Sequence, residues 1–582
     1  MGRQQRLVVV VAAWFLAVLP ALGQTPQDAL KVVPEKASGF VIVNNLGELT
    51  TKIETLARRV GMPLPFSLLE KIKGELGVGA GLNTKGSLLV AVILEEGADI
   101  RPIRLVYVPV TDYAAFLKGL NAHPDGSIAT VQLANGAKQM IVARQGSFAV
   151  FAEPTDKDAL QEALRSTPAT NAALAPLASR IARNDATGVV TSRGIKLGAG
   201  KARAALAMGK NAAQLPPEQQ FILGFMDSAD AFLKSVESDV THVLLGSRLD
   251  QAGNLEVDSA ALFAANSGFA QVGAKATSSQ GERLAGLPDV PYLFAFDGSM
   301  SGSLMGEIMN FGMKVVTAMI KDVPAAKVQK LEQVAGRIVK DLRSMSMVVG
   351  SGTGQESLFQ NSYVVIKVAN AQAYLKNYED YLDAYQDMMK GIKLPEGFPN
   401  QSIKSAKIKV EGLPALEVTT DLGLGSNQIE PLKKMMEVYF GPGGKMVVST
   451  VAVDKNTLLL RYTPAAELKE FIKTFKEKPA ALANKRDIAQ TAKLLPEGSQ
   501  WVFFISPHGT VTFVHRIMSA MMAQPAGAMR VLEFPQTPPI GVGVKMSATG
   551  VEKRLVIPAA VLDAIGPFIR QIHDAKGAAS SP

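Results

Sequence analysis

The sequence predicts an α+β fold, built as two tandem copies of a mainly antiparallel sheet with helices packed on one face. Three observations carry that expectation. Short β-favouring apolar runs alternate with helical periodicity, several neighbouring runs are joined by hairpin-type turns, and four phrases recur in the same order in both halves of the chain. The size agrees: 582 residues is about four times the ~150 residues typical of one domain. With 47% apolar and 19% charged residues, the chain has the composition of large buried cores rather than of disorder.

The elements follow in order. Arg3 and Arg6 precede an uncharged apolar run from Leu7 to Leu19, and Ala21-Leu22-Gly23 places small residues before Gln24. This is a signal-peptide pattern over 1–23, too short for a comfortable membrane span, and it predicts a periplasmic or secreted protein. An uncleaved N-terminal anchor is the alternative. No later apolar stretch reaches the ~18 residues a spanning helix needs. The first copy is expected over 24–283 and the second over 284–576, with a disordered tail at 577–582.

The first phrase is an apolar strand after a proline. Val33-Pro34 precedes Gly39 to Val43, Leu287-Pro288 precedes Tyr292 to Phe296, and Leu495-Pro496 precedes Trp501 to Ile505. Thr187 to Thr191 is a version without the proline. All four read as buried strands entering helices. The second phrase runs Leu105 to Val108 into Asp112-Tyr113-Ala114-Ala115-Phe116-Leu117-Lys118, and again Tyr363 to Ile366 into Asn370-Ala371-Gln372-Ala373-Tyr374-Leu375-Lys376. Asp112 and Asn370 are helix-start residues.

A hairpin and helix form the third phrase. Met140 to Val142 turns at Arg144-Gln145-Gly146 into Phe148 to Phe151, and Met446 to Val453 turns at Asp454-Lys455-Asn456 into Leu458 to Leu460. The fourth pairs His242 to Leu249 and Leu255 to Val257 with Gly541 to Met546 and Leu555 to Ile557. The offset between copies grows after the second phrase, so the second copy is expected to hold an insertion near 377–440. That stretch contains two loop-like segments, 393–400 and 422–427, and a short helix Pro431 to Phe440.

The chemistry is sparse. Cysteine is absent, which excludes disulfides, thiolate metal sites and cysteine nucleophiles. No two of the five histidines have metal-ligand spacing. Gly198-Ala199-Gly200-Lys201 precedes Ala202, so it lacks both the hydroxyl and the first glycine of a phosphate loop. Gly77 to Gly81 and Gly441 to Gly444 read as structural turns. Gly298-Ser299-Met300-Ser301-Gly302 puts methionine where a nucleophile elbow needs its hydroxyl. No cofactor is expected. The formal charge of +9 falls to +7 once Arg3 and Arg6 leave, favouring anionic envelope polymers or lipid headgroups. The basic residues are spread out, however, and aromatics make up only 6%, so nucleic acid is set aside. Lys404, Lys407 and Lys409 read as a protected sheet edge, and Lys469, Lys473, Lys476 and Lys478 as a solvated helix face.

Two stripes remain as a candidate ligand or partner groove. Tyr374, Tyr378, Tyr381 and Tyr385 share one helix face, where core burial with the hydroxyls at the surface is the simpler reading. Met305, Met309 and Met313 repeat every four residues on another helix, and Met518, Met521 and Met522 sit on a third. Methionine fills irregular cores, lines adaptable apolar grooves, or binds Cu(I). Asp380, Asp383 and Asp387 lie on one helix face, which cannot wrap calcium as a loop does. Trp501, the one tryptophan after the signal peptide, is placed in a core strand, and His508 and His515 share a helix face without a carboxylate between them.

The Leu-Pro strand openings at 287–288 and 495–496, the signal peptide and the missing cysteine give an organisation that resembles large uncharacterised secreted proteins of planctomycete-type bacteria. The resemblance covers most of the mature chain and lends no activity and no functional residue. The expectation is therefore an exported, non-enzymatic binding or scaffold module with an envelope protein or a lipid as partner. A carboxylate-based hydrolase and a methionine-rich Cu(I) protein are the alternatives.

Overall fold

The computed structural model describes residues 26–78, 80–95, 101–132, 139–165, 174–212, 221–277, 283–299, 306, 324–351, 357–390, 402–421, 430–441, 445–478, 481–522 and 532–579. The expected signal peptide, Met305, Met309, Met313 and the segments 393–400 and 422–427 lie outside the described residues. The chain divides into two compact units, Met1–Arg203 with Lys234–Ala264, and Ala204–Leu233 with Ala265–Pro582. Residues 204–233 and 265–283 thus fall with the second unit, on the far side of the boundary expected at 283.

The first unit contains β1 (Gly39–Val43), β2 (Leu88–Ile93), β3 (Ile103–Pro109), β4 (His123–Asp125), β5 (Ile128–Gln132), β6 (Gln139–Gln145), β7 (Phe148–Ala152), β8 (Ala186–Thr191), β9 (Val240–Leu249) and β10 (Leu255–Phe263). They pair, all antiparallel, in the order β10-β9-β8-β1-β2-β3-β7-β6-β5-β4. Alternation sends Phe40, Ile42, Leu89, Leu105, Tyr107 and Val150 to one face, where Leu30, Leu160 and Ile181 from three helices cover them. Val43, Leu88, Val90, Val108 and Phe151 point the other way, under Leu46 and Ile53 of helix Leu46–Arg59, Leu68 of helix Leu68–Leu76 and Phe116 of helix Tyr113–Gly119.

Helices therefore cover both faces of this part of the sheet, not one as the sequence suggested. The same fact explains why the strands alternate poorly. β7 is buried at all five positions and β2 at every position but Val92, and a strand covered on both sides has no solvent face to mark with polar residues.

The second unit contains β11 (Tyr292–Ser299), β12 (Leu342–Gly350), β13 (Ser362–Val368), β14 (Ser402–Val410), β15 (Leu413–Asp421), β16 (Lys445–Ala452), β17 (Thr457–Arg461), β18 (Trp501–Ile505), β19 (Ile540–Ser547) and β20 (Gly550–Ile557). Their antiparallel order is β20-β19-β18-β11-β12-β13-β17-β16-β15-β14. This is the order of the first unit with every strand number raised by ten. One face gathers Ala295, Val348, Val365, Leu459 and Phe504 under helices Leu468–Glu477 and Arg486–Ala492, and the other gathers Val364, Ile366, Val418 and Leu458 under helix Ala371–Met389.

Local signals account for the helix starts. Asp112 accepts hydrogen bonds from the Ala114 and Ala115 amides at 2.9 and 3.0 Å, and Asn370 accepts from Ala373 at 3.0 Å. Each satisfies amides that the first turn leaves without helical partners. Between β15 and β16 the second unit inserts helix Glu430–Phe440. Its last helix runs Ala559–Ala579, three residues into the expected tail.

Candidate functional site

Beyond the part covered on both sides, each sheet carries a strand pair that is buried on one face only. In the first unit Val189 on β8 and Leu244 on β9 are buried, while Val190, Val243 and Leu245 are 43, 37 and 49% exposed. Val190 lies opposite Val243 and Gly188 opposite Leu245, so the exposed side chains form one patch. In the second unit Val502 and Phe504 on β18 are fully buried, whereas Phe503 and Ile505 are both 37% exposed and Trp501 is half-buried beside them.

The second patch is the more aromatic. Phe503 lies opposite Phe296 on one side and Val542 on the other, and Trp501 lies between Gly298 and Val544. The Phe296 and Phe503 ring centroids are 4.7 Å apart. A Cβ on Gly298 would stand 2.4 Å from the Phe296 ring and 2.5 Å from Trp501 Cδ1, so the missing side chain lets both rings settle over the strand. Lys553, exposed on β20 opposite Val544, brings a cation to this face. Trp501 is thus not a core residue. Its strand is buried at alternate positions, and it falls on the open side.

Helix Pro507–Met522 follows β18 and carries exposed Val514 and Met518. Met521 and Met522 close the same helix. Phe513 on this helix begins a chain of rings: Phe513 to Tyr439 at 5.8 Å, Tyr439 to Phe359 at 6.2 Å, and Phe359 to Tyr462 at 5.1 Å. Tyr462 in turn joins the cluster that holds Tyr374, Tyr378 and Tyr381. Tyr385 packs with Leu331, Ala384 and Met388. Burial pushes the Tyr374 phenol up to about 12, with a smaller contribution from Tyr378, and raises Tyr378, Tyr381 and Tyr462 as well.

The tyrosine stripe is therefore mostly packing surface between helix and sheet. Sequence reasoning missed Phe359, Tyr439, Tyr462 and Phe513. They come from separate elements, and no spacing links them. It also missed the exposed residues of β8, β9 and β18, because apolar runs such as Thr187 to Thr191 and Trp501 to Ile505 read simply as buried strands.

Several of the other polar candidates are engaged structurally. Asp380 and Asp387 pair with Arg337 and Lys327, each at 3.5 Å, and Glu379 pairs with Lys407 at 2.9 Å. Lys404, Lys407 and Lys409 are exposed along β14, the last strand of its sheet. His508 Nδ1 lies 2.6 Å from the Phe534 carbonyl oxygen. Gly198 to Lys201 sits inside helix Ser192–Ala212, where it cannot form a phosphate-cradling loop. Among the described residues no group of three or more His, Asp or Glu side chains is placed to hold a metal ion, and no helix is long and apolar enough to cross a membrane. Comparison with family models, with curated proteins and with solved structures finds no match.

Proposed function

We propose that the chain is an exported, non-enzymatic envelope protein made of two tandem copies of one α+β unit, and that it acts as a binding or scaffold module for an apolar partner. Duplication is supported by the shared ten-strand order and by matched details within it. Asp185, just before β8, accepts a hydrogen bond from the Leu249 amide on β9 at 2.7 Å; Gln500, just before β18, accepts one from the Met546 amide on β19 at 2.7 Å. Gly194 and Gly509, each in the first turn of the helix that follows, lie against the backbone carbonyls of Ser38 and Tyr292.

The binding reading rests on one observation: β8 in the first unit and its counterpart β18 in the second each bury one face and expose apolar side chains on the other. Grouped exposed apolar side chains mark interaction surfaces more often than scattered ones do. Native mass spectrometry of protein exported with its own signal and purified gently from the envelope fraction tests it. The wild type is expected to begin at Gln24 and to carry a bound partner or ligand that a Phe503→Ser/Ile505→Ser variant loses. A bare mature mass for both proteins would sink the binding reading, and retention of residues 1–23 would overturn cleavage.

A further inference from the structure

We infer that the loop Val60 to Phe66 of the first unit is a membrane-surface anchor that seats Met62, Leu64 and Phe66 among the headgroups of an anionic bilayer. It links helix Leu46–Arg59 to helix Leu68–Leu76 and reads Val-Gly-Met-Pro-Leu-Pro-Phe. Met62 is 37% and Phe66 42% exposed, Leu64 is partly exposed, and Gly61, Pro63 and Pro65 stand in solvent. A lone exposed apolar residue means little, but three at alternate positions of one short loop form a tip.

The backbone of this tip suits lipid in particular. Placing a loop among headgroups and acyl chains is opposed mainly by amides that lose water without gaining a partner. Here the Val60 amide donates to Leu56 O at 3.0 Å, Gly61 to Arg58 O at 3.1 Å and Met62 to Ala57 O at 2.8 Å. These bonds close the helix through Gly61 at φ 77°. Pro63 and Pro65 have no N–H to strand. The Leu68 amide, where the next helix starts, donates to Glu54 Oε1 at 2.9 Å. Most amide donors from 60 to 68 are thus satisfied or missing before any membrane is met.

The charges agree. Arg58 is exposed at the end of the first helix, and exposed Lys71 holds its ammonium 4.5 Å from the Phe66 ring centroid. Among the described side chains, Glu54 accepts from the Leu68 amide and Glu70 pairs with Lys73 at 2.7 Å. Apolar side chains at a tip with cations behind them match the layering of an anionic lipid interface, where long basic side chains reach back to the phosphates. The inference shares the exported reading above but uses a surface other than the open sheet faces, so the two fail separately.

Flotation of the full mature chain with phosphatidylethanolamine–phosphatidylglycerol vesicles tests it, with phosphatidylcholine vesicles as the uncharged control. Binding is expected to the anionic vesicles, and Met62→Ser/Phe66→Ser should weaken it by about tenfold or more. Arg58→Gln/Lys71→Gln should weaken it by roughly tenfold and reduce its salt dependence. A Phe66→Trp substitution in a Trp501→Phe background should give an indole emission that shifts to the blue on binding and is quenched by brominated acyl chains. Failure of the wild type to float, equal flotation of Met62→Ser/Phe66→Ser, or an indole emission of the Phe66→Trp variant untouched by the quencher would each overturn the anchor. Loss of flotation only with Phe503→Ser/Ile505→Ser would overturn it too and assign lipid to the sheet face.

Discussion

At the scale of single residues, glycines carry the sharpest constraints. A Cβ at Gly194 would lie 1.9 Å from Ser38 O, and one at Gly509 would lie 2.0 Å from Tyr292 O. The obstacle in each case is backbone, just before β1 for Gly194 and at the start of β11 for Gly509, which cannot rotate aside as a side chain would. Gly194→Ala and Gly509→Ala should each cost about 2–4 kcal/mol by forcing the helix off the sheet. Gly198, four residues further along the first of these helices, has nothing within 4 Å of its Cβ position. Gly198→Ala should instead stabilise by roughly 0.5–1 kcal/mol through helix propensity. Urea unfolding of the three variants checks the contrast, and a neutral Gly509→Ala would show that this helix does not sit as described. None of this was legible in the sequence, where Gly194 and Gly198 stand alike in one glycine-containing helix.

At the scale of elements, helix Ala371–Met389 shows what spacing reveals and what it leaves open. The four-, three- and four-residue steps of Tyr374, Tyr378, Tyr381 and Tyr385 put them on one side, and Asn370 marked the start; both follow from helix geometry alone. Whether that side faced a ligand or the sheet depended on strands far away in sequence. With Tyr374, Tyr378 and Tyr381 held neutral by burial, their native pKa values lie above the ordinary 10. Ionisation then favours the unfolded chain, so this part of the stability is complete below about pH 10 and falls as pH rises towards 12. Phenolate absorbance should therefore develop late and together with loss of near-ultraviolet circular dichroism. Smooth titration near pH 10 with the fold intact would contradict the burial. β18 teaches the same lesson in reverse. Its uniformly apolar run reads as a buried core strand, and only the tertiary fold showed that Trp501, Phe503 and Ile505 lie on the less covered face.

At the scale of the whole molecule, each unit has its own hydrophobic clusters, so damage to one core should be read locally. Leu89 and Leu459 are fully buried, one in each unit, and truncation of either to Ala should cost about 2–5 kcal/mol. Hydrogen exchange should rise in β1–β3 for Leu89→Ala and in β13, β16 and β17 for Leu459→Ala. Equal acceleration of both sets by either variant would mean that the chain opens as one cooperative body. The sequence by itself determined the mixed helix and strand content, the helix starts at Asp112 and Asn370, the hairpins and the positions of the recurring phrases, because these depend on side chains a few residues apart. Only the tertiary structure decided that helices cover both faces of each sheet's central strands, that β8, β9 and β18 keep an open face, and that Phe513, Tyr439, Phe359 and Tyr462 join into one chain of rings. Those outcomes depend on which distant element lies across a strand, and local periodicity is the same whether a face meets a helix or water.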